Sequence, residues 1–360
     1  MDMKRVVPVL AFALVAASWA GCTSESSSTN VATDQAGAAA VTEPDLPVVE
    51  PIDEGGGSDG VDPTVADPPV ATDPPVATDP PVATDPLVET VPPTPTSGIA
   101  AIYGGSGTAG FPWAPLGWWD GSAWQRSGFD ELGNFINPPP GLVDTMSISS
   151  LDLPDGPDSV ITGLAIGPNQ TFCVGEETGP VVELSEDLGT TEESLGFDVI
   201  GVTADWPLHP RPVRQVGIEA PIYAEVGTAL FSEAPTADQG TVVQVVRADL
   251  DGDGVEEVLV TYELITGPNL GVLNDFTGVY VRYPTAAGTV VDEFLTSYVL
   301  PDPADFPSVG RFTIAAVADL NGDGVMEVVL RNRFWESAGI SVWAMEDGRL
   351  IEVMGGGCGL

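Results

Sequence analysis

Residues 248–258 read ADLDGDGVEEV and residues 318–328 read ADLNGDGVMEV, two stretches that agree at nine of eleven positions. Counted from the first acid of each copy, oxygen-bearing side chains fall at positions 1, 3, 5 and 9. They are Asp249, Asp251, Asp253 and Glu257 in the first copy, and Asp319, Asn321, Asp323 and Glu327 in the second. Position 6 is Gly254 or Gly324, which lets the backbone turn sharply and leaves the carbonyl of position 7, from Val255 or Val325, facing the same centre. All of these donors are hard oxygens, with no Cys or His at the spacing. That set suits Ca²⁺ better than zinc or copper, and its adaptable ligand number suits Ca²⁺ better than Mg²⁺. The competing reading is an acidic Asp-Gly turn that binds nothing. Carboxylates converging within a few ångströms repel strongly unless a cation neutralises them, which favours the ion. The first loop, with four acids, is expected to hold Ca²⁺ more tightly than the second, with three, in the range of about 10⁻⁴ to 10⁻³ M typical of extracellular modules.

Short β-branched or aromatic runs flank these loops. Val242–Arg247, Val258–Tyr262, Val279–Tyr283, Thr289–Phe294, Phe312–Val317, Val328–Arg331, Ile340–Trp343 and Leu350–Val353 are separated by Gly, Asp, Asn or Pro and predict an antiparallel meander. Ile222, Tyr223, Val226, Ala229 and Leu230, after Pro221, carry the spacing of one short helix ending near Pro235. An EF-hand would place a bidentate acid at position 12 and a helix on each side. Here position 12 is Val260 or Leu330, inside a strand-like run, so each loop belongs in a β-hairpin with its last acid at position 9.

The motif Asp-x-Asp/Asn-x-Asp-Gly-x-x-Glu preceding a strand resembles the calcium loops of FG-GAP and VCBS-type repeats, over roughly residues 240–355. The resemblance implies four-stranded blades with a structural calcium in the first hairpin, held by the ten positions named above. The Phe-Gly and Gly-Ala-Pro signatures of that family are missing, and two copies are too few to close a propeller. The expected fold class is mainly β: an antiparallel meander of FG-GAP-like blades, partly propeller-like, with one short helix and a long disordered N-terminal linker.

Lys4 and Arg5 precede an apolar run to Ala20, which reads as a signal peptide over residues 1–21 rather than a membrane span. Ala20, Gly21 and Cys22 resemble the cleavage box of bacterial lipoproteins. That resemblance implies acylation of Cys22 and a lipid anchor to the membrane, which would expose the protein on the cell envelope. Residues 22–97 contain no aromatic residue and repeat Asp-Pro-Pro-Val-Ala-Thr with a period of six, with Asp67, Asp73, Asp79 and Asp85 in register. Such a segment predicts a disordered, polyproline-rich tether. Residues 98–206 are expected to form a β-rich region with a Trp-rich segment, and residues 207–360 the domain carrying the calcium loops. Export permits disulfides, and with Cys22 acylated, Cys173 and Cys358 remain as a candidate pair.

The chain has 360 residues, 53 acidic and 11 basic, for a net charge of −42. So negative a chain repels phosphate backbones, which excludes nucleic acid as a partner. Gly105, Gly107 and Gly110 spell G-x-G-x-x-G, but Pro112 and Pro115 forbid the helix a dinucleotide site requires. His209, the only histidine, is accompanied by Arg211 and Arg214 and by no nucleophile motif, so it reads as structural. Trp113, Trp118, Trp119 and Trp124 surround Asp120-Gly121 and suggest an aromatic hairpin, able to stack a sugar if exposed. The expected function is a non-enzymatic surface module for binding, adhesion or structure, facing an extracellular protein or glycan. The alternative is a secreted glycan-active hydrolase or carbohydrate-binding protein.

Overall fold

In the computed structural model the described residues are 98–109, 111–129, 135–140, 145–156, 160–169, 181–184, 187–189, 197–204, 206–267, 271–284, 288–300, 310–334 and 337–359. All belong to one unit, Thr90–Leu360. The residues expected to form a signal peptide and a tether, with Cys22 and Cys173, lie outside the described residues, and so therefore does the expected pairing of Cys173 with Cys358. Among the described residues no helix is long and apolar enough to cross a membrane.

The fold is mainly β, with antiparallel pairing throughout and one α-helix among the described residues. The first nine strands are β1 (Ala100–Gly105), β2 (Pro112–Trp119), β3 (Trp124–Arg126), β4 (Gly128–Phe129), β5 (Phe135–Ile136), β6 (Thr145–Ser149), β7 (Val160–Asn169), β8 (Val181–Leu184) and β9 (Val199–Val202). Seven of them form a sheet ordered β1-β9-β6-β7-β8-β2-β3, while β4 and β5 pair with each other. The sheet curls back on itself, because β2 pairs with β8 at Pro112 and Trp113 and with β1 from Ala114 to Trp119. Its inner cluster holds Tyr103, Trp113, Met146, Ile148 and Leu184.

The remaining strands form two successive meanders. After β10 (Val213–Gln215) and the helix α1 (Pro221–Leu230) come β11 (Thr241–Ala248), β12 (Glu257–Leu264), β13 (Phe276–Pro284) and β14 (Val290–Val299). They make a five-stranded sheet in chain order, β10 to β14. The second meander is β15 (Arg311–Ala318), β16 (Glu327–Arg333), β17 (Ser337–Glu346) and β18 (Arg349–Gly359). Each of the eight runs read from the sequence lies within or overlaps one of β11 to β18, and the expected helix is α1.

Period-two alternation sorts these side chains into layers. Leu259, Val279 and Val281 face β15–β18, sharing a cluster with Val317, Val328 and Leu330. Their neighbours Val260, Tyr262 and Tyr280 point the other way, toward Tyr223 and Phe231 at α1. Across the second meander, Val329, Ile340, Val342 and Met354 face the rolled sheet, meeting Ile102, Leu116 and Ile200. Both meanders are thus buried on two faces, so their central strands read as nearly continuous apolar runs. The core of residues 98–206 and that of residues 207–360 are joined through this middle sheet.

Helix α1 is seated by a missing side chain. A Cβ on Gly227 would lie 2.5 Å from Cγ of Tyr262. That ring cannot retreat freely, because its hydroxyl donates to Ala237 O at 2.8 Å and shares a hydrogen bond with the Thr228 hydroxyl at 2.9 Å. In an exposed helix interior a Gly-to-Ala change stabilises by about 1 kcal/mol. Here overpacking reverses the sign, and Gly227→Ala should cost about 1–3 kcal/mol. A urea unfolding midpoint at or above that of the parent would show that the helix has room to move.

Candidate functional site: two acidic hairpin loops

The acidic motifs occupy the β11–β12 hairpin of the five-stranded sheet and the β15–β16 hairpin of the four-stranded one, and both are closed by the same register. Ala248 pairs with Glu257 between β11 and β12, and Ala318 pairs with Glu327 between β15 and β16. The acid at position 9 is therefore the first residue of the returning strand, and eight residues span the connection. Positive φ occurs at position 6, as the motif requires, and also at position 4: Gly252 at 81° and Gly254 at 87°, Gly322 at 77° and Gly324 at 86°. Two left-handed glycines within three residues curl the chain around its own side chains.

The hydrogen bonds repeat residue for residue. In the first loop Asp249 Oδ1 accepts from Gly252 N–H at 2.8 Å and Oδ2 from Gly254 N–H at 3.1 Å. Asp251 accepts from Asp253 N–H at 3.1 Å, Asp253 from Val255 N–H at 2.8 Å, and Glu257 Oε2 from Leu250 N–H at 2.8 Å. The second loop makes the same five contacts at 2.7–2.9 Å, onto Asp319, Asn321, Asp323 and Glu327. Asn321 Nδ2 also donates to Asp323 Oδ2 at 3.0 Å. The backbone thus holds each side chain by one or two oxygens in a common orientation.

In the first loop, ligand oxygens of Asp249, Asp251 and Glu257 lie within 4.8 Å of one another, a group that could hold a metal ion. The chemistry of the donors fits a hard cation: carboxylates only, joined in the second loop by an amide oxygen. Of the ten positions singled out from sequence, Asp249, Asp251 and Glu257 are the ones brought together as such a group among the described residues; Asp253 does not join them, and Asp319, Asp323 and Glu327 of the second loop form no group at that spacing. Burial distributes unequally between them. Asp251, Asp253 and Val255 are exposed, whereas Asp319 is 2% exposed, Asn321 5% and Glu327 1%. The first loop has more charge and the second less water.

Electrostatics follow from that burial. Loss of solvent pushes the Glu257 carboxyl up to about 7, against the Leu250 N–H and with the help of Asp251 and Asp249. Burial likewise raises Asp319 to about 6, against the N–H groups of Gly322 and Gly324, and Glu327 well above the usual carboxylate range. Without a cation these acids are held at a cost.

Two side chains from the connector between β9 and β10 complete the loops, and the motif gave no signal of either. Arg211 Nε donates to the carbonyl of position 1, Asp249 O, and the guanidinium lies against Gly252 at position 4. Trp206 Nε1 donates to the corresponding Asp319 O at 2.9 Å, and its ring lies against Gly322. Position 8 differs: Glu256 pairs with Arg214 and with Arg247, at 3.1 Å from the latter, whereas Met326 is fully buried.

Among the other candidates, His209, Trp118, Trp119 and Trp124 are half-buried. Ser149 Oγ lies 3.0 Å from His209 Nε2, but Ser149 is fully buried in β6. Gly105 ends β1, Gly107 follows it, and the next element is strand β2 rather than a helix, while Gly110 lies outside the described residues. Trp119 and Trp124 do face each other across the β2–β3 hairpin, ring centroids 5.1 Å apart and edge to face. Trp113 is fully buried, and Trp118 and Trp124 pack against separate hydrophobic clusters, so the four do not line one platform. No protein family, curated protein or solved structure matches the chain.

The raised carboxyls set a pH dependence. Glu257 and Asp319 bind their protons more tightly folded than unfolded, so the metal-free fold gains stability as pH falls from about 8 toward the unfolded values of 4.5 and 3.8. That gain is lost again as pH rises through about 6 to about 7. In chelator, the melting temperature should therefore be higher at about pH 5 than at about pH 8, and Glu327→Gln should flatten the slope. A parent protein that melts higher at the alkaline end would contradict the assignment.

Proposed function

We propose that this protein is an exported, lipid-anchored surface module in which two calcium ions, one per loop, lock the first hairpin of each β-meander. The observation that carries the reading is the repeated geometry: two loops, seventy residues apart in sequence, orient the same oxygens through the same five backbone hydrogen bonds. In this reading Asp249, Asp251, Asp253 and Glu257 with the carbonyl of Val255, and Asp319, Asn321, Asp323 and Glu327 with that of Val325, hold Ca²⁺ in the manner of FG-GAP and VCBS-type repeats. The ion supplies charge neutralisation and no reaction step. The protein's own residues arrange the oxygens, keep water from Glu327 and tie each loop to its hairpin.

Cys22 would carry the anchor and residues 22–97 the spacing from the membrane, with the β-sheets presented outward as a binding, adhesion or structural surface and no catalytic role. Its partner would be an extracellular protein or glycan.

Metal binding then contributes to folding. At calcium near 10 mM and affinities of about 10⁻⁴ to 10⁻³ M, each occupied loop adds roughly 1.4–2.7 kcal/mol. At roughly 2–4 °C per kcal/mol, the melting temperature should rise by several degrees between EDTA and calcium. Glu327→Gln retains an acceptor for the Leu320 N–H while removing a buried carboxyl whose ionised form burial disfavours. It should melt no lower than the parent in EDTA and respond to calcium by about half as much. Identical melting in calcium and EDTA, with no ion retained on equilibrium dialysis, would end the calcium reading.

A further inference from the structure

The two loops are joined to each other. Arg211, its side chain 14% exposed, donates through Nη2 to Leu250 O at 2.7 Å and to Gly324 O at 2.7 Å, in addition to its Nε contact with Asp249 O. Its fork therefore grips positions 1 and 2 of the first loop and position 6 of the second. A direct backbone contact runs beside it, Met326 N–H donating to Leu250 O at 2.8 Å. The Leu250 peptide consequently touches both loops: its N–H holds Glu257, and its carbonyl receives the residue preceding Glu327. Gly324 does the same from the other side, giving its N–H to Asp319 Oδ2 and its carbonyl to Arg211. The same connector reaches the second loop twice more, through Trp206 Nε1 to Asp319 O and through Leu208 O, which accepts from Asp319 N–H at 2.7 Å.

We propose that Arg211 couples the two loops, so that cation occupancy of either raises the affinity of the other. This rests on the reading of both loops as calcium sites. Each loop must be ordered before its oxygens can converge, and the groups that order one, Leu250, Gly324 and the guanidinium, also order the other. The first ion then leaves less ordering for the second, which is positive cooperativity transmitted through shared contacts. The guanidinium charge works the other way, since its Nε lies 3.8 Å from Asp249 Oδ2 and opposes a cation there. Coupling therefore belongs to the geometry of the fork and not to its charge. Lysine retains the charge and lacks the planar array of donors.

The test is calcium titration of the full chain by calorimetry, with single-loop variants Asp323→Ala and Asp251→Ala. In the parent, the product of the two stepwise dissociation constants should be smaller than the product of the two single-loop constants by about fivefold or more. In the Arg211→Lys background the two products should agree within about twofold. Both loops binding with no such difference in the parent would overturn the coupling while leaving the calcium reading intact. Coupling that survives Arg211→Lys would overturn the role of Arg211. Failure of either loop to take up calcium in the parent would overturn both readings. Should Arg211→Lys lose its native circular dichroism, the comparison of the parent with its single-loop variants still decides whether the loops are coupled.

Discussion

A carboxylate that leaves water must find donors or a cation, and the two hairpin loops are organised by that requirement. Glu327 is 1% exposed and Asp319 2%, and the only protein groups aimed at their oxygens in the described contacts are backbone N–H groups of the same loop. Those amides favour the ionised form, yet burial outweighs them, since both carboxyls sit above their ordinary range. Left-handed glycines at positions 4 and 6, the register that begins each returning strand at the position 9 acid, and the N–H given back by position 2 all serve to bring like charges together. A fold gains nothing from such convergence unless something positive compensates it.

The sheets make that convergence tolerable. Because each meander is buried on both faces, its first hairpin is held by packing along β11–β12 and β15–β16 before any loop contact is counted. The loops then project from neighbouring layers close enough for Met326 and Leu250 to share a backbone hydrogen bond. The connector from Trp206 to Arg211 runs past both, and its two flat side chains occupy equivalent places: each gives an N–H to the position 1 carbonyl and each lies on the position 4 glycine. Glycine at position 4 thus answers two demands, the backbone turn and the close approach of a ring or guanidinium.

The described part of the chain is stiffened from within by its own cations. Its basic side chains are few, and several of the arginines are used internally. Arg126 donates to Val353 O and Glu352 O, Arg211 to the loops, and Arg282 pairs with Asp292 at 2.9 Å.

What the sequence determined by itself was local. The eleven-residue repeat specified the oxygen set and the hairpin, because ligand spacing and turn chemistry are properties of adjacent residues. The β-branched and aromatic runs specified β11–β18, and the i, i+4, i+7, i+8 spacing specified α1. The last run, ended at Val353, fell short: β18 continues through Gly355–Gly357 to Gly359, pairing along β17, where a Cβ on Gly356 would lie 2.9 Å from Leu116. The order of β1–β9 was not legible, since β1 pairs with β9 nearly a hundred residues away. Nor were the roles of Trp206 and Arg211, which meet Asp319 and Gly324 across 113 positions each. Such contacts are chosen by the packing of whole layers, which no local pattern encodes, and only the tertiary structure could bring the two loops within reach of one guanidinium.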